Sequence, residues 1–272
     1  MGIEPPTICE APPLELVLAL GPARVERVLV YAPDAIGRVF LCSHPELKRR
    51  LVAASDVQVE LRAMTPPKTP VCYASMFTGA LPEVHGIRKY ERPVLTCDTL
   101  FDVLARRDMT ELPGNSDRVP SQTAGRVAIV AVKDCSMDII FRNRPIDYFT
   151  EGDDQQVTGR ALELVRDNKH DFIVAYNQEY DDTLHRTRHD GPEALAAAAR
   201  HVGTFERFLQ ATEESWAANS RALLFAPDHG HTSIRRRAGE TMAKTFPKTW
   251  MFSTSGGSGR RDDSDSADCP DF

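Results

Sequence analysis

The sequence predicts an α/β protein built on a mainly parallel sheet with helices on both faces. Three observations predict it. Short β-branched runs recur along the chain, helical patterns separate them, and a length of 272 residues at 42% hydrophobic is enough for one large core. Alternation of this kind is how parallel strands are joined, because each crossover needs a helix.

The elements follow in order. VERVLVYA (25–32) reads as a buried strand and HPELKRRLVAA (44–54) as a helix. VQVEL (57–61), VAIVAV (127–132), DFIVAY (171–176) and RALLFA (221–226) read as further strands. CDTLFDVLARR, GRALELVRD and GPEALAAAARHVGTFERFLQATEES carry helical periods, the last with Pro192 suited to a first turn. Residues 1–24 read as an N-terminal extension and 25–231 as the catalytic domain. The polar stretch DMTELPGNSDRVPSQTAG (108–125) reads as a surface insertion, and 232–272 as an irregular tail ending in a low-complexity run. No internal repeat is visible.

Composition excludes several function classes. A net charge of -6 argues against a nucleic-acid polymer as partner, since phosphate backbones attract clustered Lys and Arg. No apolar run approaches the ~20 residues of a membrane helix. The start, MGIEPPTICEAPP, lacks a signal peptide's basic and apolar regions, and Pro6 stands where myristoylation favours Ser or Thr. Six scattered cysteines without a CxxC pair suggest reduced thiols and a cytoplasmic enzyme.

Chemistry-bearing residues gather just after the expected strands, where ligands of such sheets bind. YAPDAIG places Asp34 after the first strand, YNQEYDDTLH places Asp181, Asp182 and His185 after the fourth, and APDHGH places Asp228, His229 and His231 after the fifth. In MTPPKTPVCYASMFTGALPEVHGI, Pro70 starts a helix and leaves Thr69 beside its free N–H groups. Each spot alone has a bland reading: Asp34 or Thr69 as a helix cap, Asp181 with His185 as a surface pair four residues apart. Their coincidence points to metal-assisted phosphoryl or sulfuryl transfer by a threonine hydroxyl. Asp and His ligands suit zinc or manganese better than magnesium. His85 is expected to hold the turn after the threonine's helix, and His189 and His201 to be solvated. Lys68 and Arg88 are candidate substrate contacts.

Together these segments resemble the alkaline phosphatase superfamily, and within it the type I phosphodiesterase/nucleotide pyrophosphatase branch. The resemblance implies a three-layer α/β/α sandwich, two zinc-like ions and a small phosphate-ester substrate. It implies Thr69 as the nucleophile, passing through a phosphothreonine, with Asp34, Thr69, Asp228 and His229 around one ion and Asp181 and His185 on the other. Cys72 departs from the pattern, standing where nucleotide pyrophosphatases have an asparagine that holds a phosphoryl oxygen. A late histidine in an xHG segment is also missing, so one ion is expected to bind weakly and the C-terminal part of the fold to be incomplete. One permissible set of codons for ETMAKTFPKTWMFSTSGGS (240–258), read with the frame displaced by one nucleotide, gives DHGEDIPEDMDVQHFWGI, which supplies that segment. The chain is therefore expected to leave its native frame between residues 231 and 240, and sequencing of gene and transcript tests this. The alternatives are a catalytically impaired binding remnant, or a phosphonate hydrolase or sulfatase-like enzyme. Thr69-Pro70-Val71 lacks the sulfatase nucleophile context.

Overall fold

A computed structural model describes residues 4–12, 25–110, 126–187, 191–230 and 247–254. Its elements run β1 (Arg27–Pro33), α1 (Arg38–Ser43), α2 (Pro45–Ala53), β2 (Val57–Arg62), α3 (Thr69–Thr78), α4 (Pro82–His85), α5 (Leu100–Thr110), β3 (Val127–Val132), α6 (Ser136–Ile140), β4 (Asp147–Glu151), α7 (Asp154–Asp167), β5 (Phe172–Asn177), α8 (Glu179–Arg186), α9 (Pro192–Ser215), β6 (Arg221–Phe225) and β7 (Pro247–Thr254). One sheet of order β2-β7-β6-β1-β5-β3-β4 joins all seven strands. The five strands from β6 to β4 run parallel, and β7 is antiparallel to both its neighbours.

Period-two alternation along the central strands divides the core between two faces. Leu29 and Tyr31 of β1 with Ile173 and Ala175 of β5 face one cluster, which takes in Val157 and Leu164 of α7 and Phe205 and Phe208 of α9. Val28, Val30 and Ala32 with Phe172, Val174 and Tyr176 face the other, against Tyr73 and Phe77 of α3, Phe101 of α5 and Met137 of α6. The α/β/α layering expected from the resemblance is thus present. Every residue of β5 is buried, as a strand covered on both faces requires. Tyr31 meets Phe208 and Phe225 edge to face, and losing a ring from such a site costs roughly 3–5 kcal/mol.

Helix ends show why the periods stop where they do. Asp153 caps α7 by accepting the Gln156 N–H at 2.8 Å, and Asn168 ends it in the left-handed conformation. Pro192 opens α9 as expected.

Four expectations need adjusting. The tail expected to be irregular contains β7, which lies within the stretch expected to be out of frame. Thr249, Trp250 and Phe252 are strand-favouring residue types, and β7 satisfies the backbone edges of both β2 and β6. The first three residues of the expected insertion, 108–110, continue α5, and 111–125 lie outside the described residues. Within the N-terminal segment, the Glu10 and Ala11 N–H groups donate to Gly79 O at the end of α3. Finally, Cys42 is disulfide-bonded, whereas Cys9, Cys72, Cys97 and Cys135 are free thiols. Spacing along a chain says nothing of which thiols meet in space, and the pairing weakens the argument for a reducing compartment. Residues 231–246 and 255–272, including His231, and His189 with its neighbours 188–190, lie outside the described residues. No described helix is long and apolar enough to cross a membrane.

Candidate metal and phosphoryl site

Three adjacent strands, β6, β1 and β5, deliver their carboxyl ends to one place. The Asp34 N–H donates to Asn177 O at 2.9 Å, and the Ala226 N–H to Tyr31 O at 2.8 Å, which locks the three exits together. Asp34 follows β1 directly, and Asp228 and His229 follow β6 by a short turn. Ala35, with φ of 63°, is left-handed, a conformation that costs a non-glycine residue roughly 1–3 kcal/mol. That bend aims the Ala35 N–H at Asp228 Oδ1, 3.3 Å away. The His229 N–H donates to the same oxygen at 2.8 Å.

The result is a buried cluster. Ligand atoms of Asp34, Asp228 and His229 all lie within 4.8 Å of one another. His229 Nε2 is 3.3 Å from Asp228 Oδ2 and 3.7 Å from Asp34 Oδ1. Thr69, the first residue of α3, sits beside them. Its hydroxyl donates to Asp34 Oδ2 at 3.3 Å and lies 3.4 Å from His229 Nε2. The helix begins one residue earlier than expected, with Lys68 as its cap, so Thr69 keeps its place at the positive end of the dipole.

Among the described residues, three buried polar atoms here have no hydrogen-bond partner: Asp34 Oδ1, Asp228 Oδ2 and His229 Nδ1. Two buried carboxylates at this separation repel each other, and burial followed by the Asp228 charge pushes the Asp34 carboxyl well above its ordinary range. Orphaned acceptors and crowded negative charge are what a cation would relieve, and the donor set of two carboxylates and one imidazole suits zinc.

Asp181 and His185 lie apart from that cluster, on α8. His185 Nε2 is 3.2 Å from Asp181 Oδ2, and the imidazole is 69% exposed. Both residues line the same cavity of about 890 Å³ as Asp34, Thr69 and His229. Among the described residues, no third His, Cys, Asp or Glu completes a cluster with them.

Sequence reasoning missed several contributors. Tyr176, near the end of β5, donates its hydroxyl to Asp34 Oδ2 at 2.5 Å. Burial and the Asp34 charge raise its pKa far above the usual value, so it stays a donor. Its place at the carboxyl end of a buried strand, like that of Asp34, was the available signal. His201 is not solvated: it is 1% exposed and works from α9. It accepts the Tyr180 N–H at Nε2, 3.2 Å away, and its Nδ1 is 2.6 Å from the Tyr31 hydroxyl. Burial lowers its pKa to about 4 and keeps it neutral. Asp154 at the start of α7 takes the Gln178 and Glu179 N–H groups at 3.0 and 2.8 Å. Three consecutive amides at the start of α8 are therefore held by side chains of two other helices.

The remaining candidates divide. Lys68 lines the cavity, but Arg88 does not; its guanidinium donates to Glu83 O at 3.3 Å. His85 holds its turn as expected, accepting the Ile87 N–H and lying 2.9 Å from the Ser75 hydroxyl. Cys72 is buried in α3 and does not line the cavity, whereas Cys135 does.

No protein-family model and no curated protein matches the chain. Solved structures do. A protein in the alkaline phosphatase superfamily from Vibrio parahaemolyticus aligns with a TM-score of 0.55 at 10% identity, over 85% of this chain and 60% of that one. Phosphonoacetate hydrolase from Sinorhizobium meliloti, in complex with phosphonoformate, aligns at 0.52 and 16%, over 77% and 58%. Murine ectonucleotide pyrophosphatase/phosphodiesterase 5 aligns at 0.50 and 18%, over 75% and 57%. The fold is alkaline-phosphatase-like. At these identities the likeness is one of fold, and the chain spans less than two thirds of the length of each of these proteins.

Proposed function

We propose that this chain is a metal-dependent hydrolase of phosphodiester, pyrophosphate or related phosphorus bonds in small molecules, with Thr69 as nucleophile. The observation that carries the reading is the Thr69 hydroxyl at 3.3–3.4 Å from two members of a buried, under-satisfied Asp34–Asp228–His229 cluster. Asp34, Asp228 and His229, with Thr69, would hold one zinc or manganese ion, and Asp181 and His185 would contribute to a second. Ions so held lower the pKa of an adjacent hydroxyl and neutralise charge that develops on phosphoryl oxygens.

The chain's own residues do the rest. Asp34 accepts the Thr69 hydrogen bond and so orients the oxygen. Tyr176 fixes Asp34 from the other side, donating to the same carboxylate oxygen. The start of α3 favours negative charge on Thr69 Oγ1 as its proton passes to water in the cavity. That oxygen attacks phosphorus in line, the ester oxygen departs, and phosphothreonine is hydrolysed by water entering from the cavity. Thr69→Ala removes the nucleophile and should abolish turnover of a generic aryl phosphodiester in zinc-supplemented assays, with the fold intact by circular dichroism. Unchanged turnover would remove Thr69 from its role. The second reading is an impaired remnant that binds but does not turn over, favoured by the two-residue set on α8 among the described residues. Metal analysis separates the two: near two zinc equivalents supports the hydrolase, one or none the remnant.

A further inference from the structure

One buried imidazole, outside the cavity, touches the supports of both candidate ligand regions. His201 Nδ1 is 2.6 Å from the hydroxyl of Tyr31, and Tyr31 belongs to β1, the strand that Asp34 follows. His201 Nε2 accepts the N–H of Tyr180, the residue before Asp181 on α8. Tyr31 lies in the core layer of α7 and α9, on the opposite face of the sheet from α3. The imidazole therefore bridges strand and helix from behind.

Its proton follows from these partners. Burial keeps the ring neutral, so it carries a single N–H. A backbone amide can only donate, hence Nε2 is the bare nitrogen, and Nδ1 holds the proton and donates it to Tyr31. Asp154 Oδ2, 4.0 Å from Nε2, is too distant for a competing hydrogen bond. With both nitrogens engaged, the ring has one tautomer and one orientation. A second route runs beside it: Asn177 O accepts the Asp34 N–H, and Asn177 Nδ2 donates to Thr158 Oγ1 at 3.1 Å and to Asp154 O at 3.4 Å. Apolar contacts hold α8 as well, with the Tyr180 and Phe40 rings 4.9 Å apart. Such contacts are non-directional and keep the helix close without fixing where its side chains point.

We propose that His201 is a positioning residue, a strut between β1 and α8 that sets the placement of Asp181 and His185 relative to Asp34, Asp228 and His229. This rests on the two-ion reading given above. His201 touches neither ion nor substrate and acts only through Tyr180 and Tyr31. Losing the strut frees α8 to shift and leaves the strand-end cluster in place, because sheet hydrogen bonds hold that cluster. Partners in the outer shell of a metal site typically change affinity by about 10- to 100-fold.

The test is calorimetric titration of the full chain with zinc, with thermal melts as the control for folding. Two replacements divide the imidazole. Gln extends an acceptor to the reach of Nε2, whereas Asn offers a donor at the reach of Nδ1 and nothing at the Tyr180 amide. In His201→Asn the weaker of two zinc ions should lose about tenfold or more in affinity, and the tighter less than about threefold. His201→Gln should bring the weaker ion back to within about threefold of the parent, although it too lacks the ring. Tyr31→Phe removes one hydroxyl at the far end and tests the strut without deleting the imidazole. The Nδ1 proton then loses its acceptor and moves to Nε2, on the side of Asp154, where it opposes the amide. Hydrogen exchange at Tyr180 should quicken at least about fivefold. An unaltered weaker ion in His201→Asn, equal weakening of both ions, equal loss in the Asn and Gln variants, or unchanged exchange in Tyr31→Phe overturns the strut and leaves the hydrolase reading standing. A parent chain that takes up zinc at one site or none overturns both the strut and the two-ion reading.

Discussion

Two candidate ligand regions share one cavity and are built in opposite ways. Asp34, Asp228 and His229 leave the ends of neighbouring strands, with Asp228 fully buried, and one ligand atom of each lies within 4.8 Å of the others. Asp181 and His185 sit one turn apart on a short helix and satisfy each other at 3.2 Å. Sheet hydrogen bonds fix the first set through the locked exits of β6, β1 and β5. The second depends on how α8 is docked, and that rests on Asp154, His201 and the Arg200–Glu179 pair. The first region is preorganised at the expense of buried charge. The second is at ease without a ligand.

That contrast can be broken most forcefully at Asp228. Asp228→Asn should lower zinc affinity by more than about 100-fold, beyond what outer-shell changes reach. It should also raise the stability of the metal-free protein, because the Asp228 charge, which adds to burial in raising the Asp34 pKa, is gone while Oδ1 keeps its two N–H donors. Isothermal titration and thermal melts read the two effects, and a metal-free variant less stable than the parent would contradict the crowded-charge account.

At His185 the expected effect is smaller and selective. His185→Ala should change affinity for the tighter ion less than about threefold while weakening the second, since an exposed imidazole contributes little to the buried cluster. Equal weakening of both ions would show that the regions are not independent.

The smallest effect belongs to Asp154. Burial raises its pKa from 3.8 to about 6, so the folded state holds a proton that the unfolded chain releases. Its contribution to stability is therefore fully present below pH 3.8 and declines as pH rises through 6. Asp154→Ala should flatten that part of the stability–pH profile and cost about 1 kcal/mol through lost capping of α8. Hydrogen exchange at the Gln178 and Glu179 amides checks the same contact, and unchanged protection there would contradict it.

How much of this was legible in the sequence follows from the same contrast. The strand-end residues were readable because buried apolar runs announce where a sheet's carboxyl edge lies, and YAPD and APDH follow such runs directly. The place of Thr69 at the start of α3 was readable from Pro70. Tyr176 was hidden because a tyrosine inside an apolar run looks like core until its hydroxyl is placed. Asp154 and His201 act across 24 and 21 positions of chain, and no local pattern encodes a cap supplied by another helix. The short β4 and α6 escaped detection because their runs are too brief to show a period. Strand β7 was missed for another reason: it pairs with β2 from nearly 200 residues away, so its partner, more than its own composition, defines it.

The central claim is that the strand-end cluster holds the ion that activates Thr69. Anomalous diffraction at the zinc edge on zinc-soaked crystals tests it most directly. The predicted result is a peak within about 2.3 Å of ligand atoms from Asp34, Asp228 and His229, with Thr69 Oγ1 beside it. Zinc found only at Asp181 and His185, with the strand-end cluster empty, would contradict it.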